Sequence, residues 1–87
     1  MNTKQIVEQR VVDYLHRLPL LLSDRTYHNK KATGRHSTLA SLQKYARETF
    51  TSKYKIPYDQ LSTHQKNAIQ STVEDAYYGM KEARQYE

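Results

Sequence analysis

The first third of the chain carries apolar side chains at the spacing of an α-helix. They recur three or four residues apart and make one stripe along a helix face: Val7, Val11, Tyr14, Leu15 and Leu18. This stripe predicts a first helix over residues 3–18. Asn2 and Gln5 have the spacing of a capping box at its start, and Pro19 ends it because proline cannot continue a helix. The run Leu20–Leu22 is expected to turn the chain back against the core.

Helical periodicity disappears between residues 23 and 37. This stretch holds Gly34 and almost no aliphatic side chain, and it therefore predicts a long loop. Loops of more than about 12 residues are uncommon in compact domains and are usually functional or disordered. We expect a binding site in this loop.

A second helix is predicted over residues 38–54. Ser37 is a suitable N-cap because its hydroxyl can accept a hydrogen bond from the first turn. The apolar side chains again make a narrow stripe, formed by Leu39, Leu42, Ala46 and Phe50. The helix ends before Ile56 and Pro57, since the residue before a proline is pushed out of the helical conformation.

The third helix, predicted over residues 62–84, has the clearest start. Ser62 and Gln65 have the spacing of a capping box. An apolar seam follows, formed by Ile69, Val73, Ala76, Met80 and Ala83. Because 87 residues are the size of one domain, the sequence predicts a single all-α domain over residues 1–87. It is a small bundle of about three helices with a long basic loop, residues 23–37, between the first and second.

Positive charge is concentrated in the middle of the chain. The formal net charge is +5, yet residues 25–55 carry eight lysines and arginines against a single acid, Glu48. A concentrated positive field attracts a polyanion, because each neutralised phosphate releases condensed counterions. The cations alternate with side chains that donate hydrogen bonds or stack on bases. The pattern predicts a nucleic-acid-binding patch made of the loop and one flank of the second helix: Arg25, Tyr27, His28, Lys30, Lys31, Arg35, Lys44 and Arg47.

The start of the third helix predicts a second contact with nucleic acid. Its first two turns are polar and basic and contain no acid, with His64, Lys66 and Asn67 as candidate contacts. Amide side chains at this position read adenine edges in the major groove, so DNA is favoured over RNA as the ligand. The spacing departs from a helix-turn-helix, which joins its helices by a turn of 3–4 residues.

A protein partner is the alternative interpretation. A basic patch also binds an acidic protein surface, and cations alone keep a small protein soluble. Near the end of the third helix, Tyr77, Tyr78 and Met80 predict an interface with a partner or a homodimer through this helix. The protein would then be an inhibitor or adaptor that docks on a larger protein or nucleoprotein machine. Small basic helical proteins of this kind are common among phage and mobile-element products.

The sequence carries no pattern typical of catalysis or cofactor binding. It has no cysteine and two glycines, Gly34 and Gly79, which excludes thiolate chemistry and a glycine-rich phosphate loop. His28 and His36, together with Asp24, match no zinc-binding spacing. We therefore expect a non-enzymatic protein without metal or cofactor. The longest apolar run is far shorter than the roughly 20 residues of a membrane span, so we expect a cytoplasmic protein without a membrane contact.

Overall fold

A computed structural model describes three helices and one short turn of 3₁₀-helix. α1 spans Thr3–Thr33, α2 spans Leu39–Tyr54 and α3 spans Thr63–Arg84, and the 3₁₀ turn over Tyr58–Gln60 lies between α2 and α3. The described part of the chain contains no strand. The prediction of a small all-α bundle is therefore confirmed.

The described part of the chain runs from residue 3 to residue 84. The capping box predicted for Asn2 and Gln5 falls outside it, because Asn2 lies before its first residue. None of the helices within it has the length and apolar character that crossing a membrane requires.

α1 continues well past its predicted end. The end placed at Pro19 and the loop placed over residues 23–37 are both wrong, because Pro19 lies inside a helix that runs to Thr33. The apolar stripe also continues, since the buried side chains of α1 include Leu22 and Thr26 at the same four-residue spacing. Packing of this face offsets the cost of a proline inside a helix, which is about 3 kcal/mol.

The leucines after Pro19 follow the helix rather than turning the chain back. Leu20 is 77% exposed, whereas Leu22 is fully buried. Residues two apart on a helix point in different directions, which explains this difference between close neighbours. The turn predicted at Leu20–Leu22 is therefore wrong as well.

Side-chain hydrogen bonds define where α2 and α3 begin. The N-cap of α2 is Thr38, whose Oγ1 accepts a hydrogen bond from the Ser41 N–H at 3.1 Å. The cap predicted at Ser37 is wrong by one residue. At α3 the capping box is confirmed: the Gln65 N–H donates to Ser62 Oγ at 3.1 Å, and the Ser62 N–H donates to Gln65 Oε1 at 3.0 Å.

The core lies where the stripes of the three helices meet. Its largest fully buried side chains are Tyr14, Leu18, Leu22, Leu42, Phe50, Ile69 and Val73. The stripe of α2 and the first half of the α3 seam are thus confirmed, whereas Ala83 at the end of the seam is exposed. The Tyr14 hydroxyl donates to the Ala46 carbonyl at 2.7 Å, which satisfies the polar end of a buried ring. Burial raises the pKa of the Tyr14 hydroxyl.

α1 runs antiparallel to α2 and parallel to α3. Tyr14 packs against Phe50 and Tyr54 near the end of α2, whereas Arg25, further along α1, lies over Tyr45 near the start of α2. The first turns of α1 and α3 line a common groove. The molecule measures 47 × 22 × 17 Å, and a helix of this length spans about 46 Å at 1.5 Å per residue. α1 therefore sets the length of the molecule.

Candidate nucleic-acid interface

The C-terminal end of α1 and the connection to α2 form a cluster of exposed side chains, here named the basic corner. It consists of Arg25, Tyr27, His28, Lys30, Lys31 and Arg35, all of them exposed. Five of these six lie within α1, so a helix rather than a flexible loop sets their relative positions. A rigid scaffold lowers the entropy that side chains lose on binding.

Hydrogen bonds fix the end of α1 and the residues that follow it. Gly34 has a φ of 77°, a conformation that glycine adopts without strain, and its N–H donates to the Lys30 carbonyl at 2.7 Å. The Thr33 hydroxyl donates to the Asn29 carbonyl at 2.8 Å, and Asn29 Nδ2 donates to the Arg35 carbonyl at 2.9 Å. These bonds hold the Arg35 backbone next to the last turn of α1.

Tyr27 lies at the centre of a small group of aromatic and cationic side chains. Lys31 Nζ lies 5.8 Å from the centroid of the Tyr27 ring. The His28 ring is 5.5 Å from the Tyr27 ring, centroid to centroid, in an edge-on arrangement. Tyr27 itself is 61% exposed. The group combines a ring face, a cation and an imidazole within one turn of helix.

Arg25 lies on the side of α1 that faces α2. Its Cζ is 5.2 Å from the centroid of the Tyr45 ring, within the range of a cation–π contact. Both side chains line a groove between the two helices with a volume of about 480 Å³, which also contains Glu48 and Lys53. Tyr45 and Lys53 were not among the predicted site residues. They join Arg25 only because α2 runs back antiparallel to α1.

Arg47 lies on the opposite flank of α2 from Arg25. It follows Tyr45 by two residues, which is about 200° around a helix. It lines a neighbouring groove with Thr51 and Tyr58, and the two grooves share Glu48 and Ser52. Lys44 precedes Arg47 by three residues and so lies on the same face of α2. The structure thus places Arg25 and Arg47 on different flanks of α2, and a single patch that joins the basic corner to Lys44 and Arg47 stays a prediction.

Lys66 packs against the segment between α2 and α3. Its Nζ is 5.8 Å from the centroid of the Tyr58 ring, and its carbonyl accepts a hydrogen bond from the Tyr58 hydroxyl at 3.4 Å. Burial raises the pKa of the Tyr58 hydroxyl, and the positive charge of Arg47 opposes this rise. Lys66 is thus half-buried at the start of α3 rather than freely presented.

His64 and Asn67 are exposed, but they lie far from the basic corner. His64 lines the groove between the first turns of α1 and α3, together with Leu15. Lys31 lies 16 residues further along α1 than Leu15, which corresponds to about 24 Å of helix. The structure therefore places the two groups of predicted nucleic-acid contacts toward opposite ends of the molecule.

The predicted protein interface near the end of α3 is only partly exposed. Tyr77 and Met80 are half-buried against the core, whereas Tyr78 is 52% exposed. The rings of Tyr77 and Tyr78 are 5.2 Å apart, centroid to centroid, in an edge-on arrangement. Tyr78 is thus the member of this set that a partner can reach.

Two further observations concern the whole described region. Among residues 3–84, no three His, Cys, Asp or Glu side chains are grouped so that they could hold a metal ion. Comparison of the chain with protein-family models, with curated proteins and with solved structures finds no match. Function is therefore inferred from the charge and geometry of the basic corner.

Proposed function

We propose that this protein is a non-enzymatic, cytoplasmic, nucleic-acid-binding accessory or regulatory protein that binds phosphates through the basic corner. The supporting observation is the concentration of exposed cations on an ordered helix end. From Arg25 to Arg47 the sequence contains six lysines and arginines and no acid. Arg17, by contrast, is paired with Asp13, at 3.2 Å between Nε and Oδ2. Asp24 and Glu48 flank this stretch, and Glu48 lines the groove that contains Arg25, whereas no acid lies in the sequence near Lys30, Lys31 and Arg35.

Helix stability alone does not account for this distribution. Lys30 and Lys31 lie in the last turn of α1, where positive charge interacts favourably with the helix dipole. Arg35 lies beyond the end of α1, and Arg25 lies more than two turns before it, so neither benefits in this way. A polyanion that follows the end of α1 accounts for Lys30, Lys31 and Arg35, because each phosphate it brings is neutralised locally. Arg25 lies on the side of α1 that faces α2 and contacts Tyr45.

DNA is the nucleic acid that we favour. Asn67 is exposed on the first turns of α3, and its amide matches the donor and acceptor atoms of an adenine edge. A strand that follows α1 from the basic corner reaches this end of α3 after about 24 Å. In this proposal the corner supplies affinity, and His64 and Asn67 supply contacts to bases.

The test is fluorescence anisotropy of labelled single- and double-stranded DNA and RNA over a salt series. We expect the affinity to fall log-linearly with salt, with a slope of about 0.7 per phosphate contacted in a single strand and about 0.9 in a duplex. Replacing Lys30, Lys31 and Arg35 together by alanine should lower that slope by roughly 2, while helicity measured by circular dichroism is retained.

A matched control removes the same charge elsewhere. Arg10, Arg17 and Lys81 are also exposed cations on helices. They lie outside the basic corner and do not line the groove that contains His64. Alanine at these three positions should leave the slope close to that of the wild type. Equal slopes for the two triple variants would contradict the assignment of the corner. Absence of binding to every nucleic acid at about 50 mM salt would contradict the proposed function.

An inhibitor or adaptor that docks on a larger protein is the second candidate function. It is favoured by Leu20 and Tyr78, two large side chains that remain mostly exposed on separate helices. Such side chains act as anchors in protein interfaces. In a homodimer through α3, Tyr78 would lie at the interface. Light scattering of the wild type and of Tyr78→Ala tests for this dimer. We expect a larger mass for the wild type if that dimer exists.

A further inference from the structure

Tyr27 is directed away from the core of the protein. It follows the buried Thr26 by one residue and the buried Leu22 by five, and these steps turn its direction by about 100° and 140° from theirs. The ring is 61% exposed as a result. A tyrosine at this position contributes little to the core, although tyrosine provides much contact area at low cost in conformational entropy.

Neighbouring side chains hold the Tyr27 ring next to positive charge. Lys31 Nζ is 5.8 Å from the ring centroid, and the His28 ring is 5.5 Å away. Lys30 and Lys31 belong to the last turn of α1, which Gly34 closes with a hydrogen bond to the Lys30 carbonyl. The ring therefore stands on an ordered helix turn with the Lys31 cation over it. Proteins that bind single strands combine these same two elements, an aromatic ring for the base and a cation for the backbone.

An exposed ring on one helix discriminates between paired and unpaired bases. In a duplex the bases are stacked on one another and present only their edges in the grooves. Their faces become accessible when the strand is single or the base is splayed out. Inserting a ring between paired bases has an unstacking cost similar in size to what stacking on the ring contributes. Tyr27 thus favours an unpaired base and adds nothing to duplex binding.

We propose that Tyr27 is a stacking platform for an unpaired base, and that the ligand of the basic corner is single-stranded nucleic acid. The contacts proposed for His64 and Asn67 are then to the edges of unpaired bases, which a single strand leaves accessible. Lys30, Lys31 and Arg35 bind the phosphates on either side of the stacked nucleotide. This inference rests on the proposed function, since it specifies the form of nucleic acid that the same site binds.

Tyr27→Trp provides a direct probe, because the protein contains no tryptophan. We expect its fluorescence to be quenched when an oligothymidylate of about 15 nucleotides binds, and to be nearly unchanged when a duplex of the same length binds. Tyr78→Trp is the matched control, since Tyr78 is also a largely exposed tyrosine but lies on α3. Its fluorescence should not respond to either nucleic acid.

Affinity measurements separate stacking from charge. Tyr27→Ala should weaken binding of the oligothymidylate about tenfold, within the 5- to 150-fold range of base–aromatic stacking. Its salt slope should equal that of the wild type, because stacking releases no counterions. Tyr27→Phe keeps the ring and should keep the affinity, and duplex binding should be the same for all three proteins.

The results that would contradict the stacking platform differ from those that would contradict phosphate binding by the basic corner. Wild-type affinity of Tyr27→Ala for the single strand would overturn the stacking platform, and so would an unquenched Tyr27→Trp bound to the oligothymidylate. Equal losses of single-strand and duplex affinity in Tyr27→Ala would also overturn it. In each of these cases the phosphate-binding function stands. Absence of binding by the wild type to both forms would overturn the function and the platform together.

Discussion

Replacing Pro19 by alanine is expected to stabilise the protein. Pro19 lies inside α1 and is exposed, so its removal leaves no cavity in the core. Proline has no N–H to donate to the carbonyl of Leu15, four residues earlier, and its ring crowds that carbonyl. Alanine restores the donor and removes the crowding.

The expected gain follows from two opposing contributions. Proline in a helix interior is about 3 kcal/mol less favourable than alanine. Proline also restricts the unfolded chain, and losing that restriction costs up to about 1 kcal/mol. We therefore expect the free energy of unfolding to rise by about 2 kcal/mol. In a domain of this size such a gain corresponds to an increase in Tm of about 8–16 °C.

Thermal denaturation followed by far-ultraviolet circular dichroism measures the change in Tm, and urea denaturation measures the free energy of unfolding. Leu20→Ala is the control, because Leu20 is the next residue and is 77% exposed. We expect it to change the free energy of unfolding by no more than about 0.5 kcal/mol. An unchanged or lowered stability of Pro19→Ala would refute a continuous α1. The chain would then leave the helix at Pro19, as the sequence pattern predicts.

Two further predictions concern backbone conformation and charge. A Cβ added at Gly34 or at Gly79 would meet no atom within 4 Å, so the two positions differ in backbone conformation. Gly34→Ala should lower the free energy of unfolding by about 1 kcal/mol because φ is 77° there. Gly79→Ala, inside α3, should raise it by about 0.5–1 kcal/mol; equal effects in urea denaturation would contradict this. The Tyr54 hydroxyl donates to Asp13 Oδ2 at 2.6 Å and, with Arg17, holds the pKa of Asp13 below 3.8. The fold therefore favours the charged carboxylate, so Asp13→Asn should lower the free energy of unfolding at pH 7. The difference in this free energy between wild type and variant should shrink as the pH falls below 3.8. A difference that is constant with pH would contradict this prediction.

The helices themselves were largely predictable, because each buries an apolar stripe at helical spacing. The capping box of Ser62 and Gln65 is a local hydrogen-bond pattern and depends little on the rest of the fold. The continuation of α1 was not predicted, because Pro19 is a strong local signal against a helix. A signal for it was present in the four-residue spacing of Leu18, Leu22 and Thr26. The predicted stripe ended at Leu18, because Leu22 was assigned to a turn and Thr26 is polar although its side chain is buried.

The residues of the basic corner were predictable from the sequence only in part. Charge distribution is a property of the sequence, so the cations of residues 25–35 were identified without a structure. Which surface Arg25 faces depends on how α2 packs against α1, because its side chain lies over Tyr45 of α2. The distance to His64 depends on the length of α1. If residues 23–37 formed the predicted loop, the distance between the basic corner and His64 would not be set by a helix.

The most direct test of binding at the basic corner is a nitrogen–proton correlation spectrum of the labelled protein, recorded during a titration with the oligothymidylate. We expect the largest amide shift changes to cluster between Arg25 and Arg35, with Gly34 as a resolved reporter at the end of α1. Shift changes confined to the exposed face of α3 around Tyr78, with residues 25–35 unaffected, would contradict binding at the basic corner.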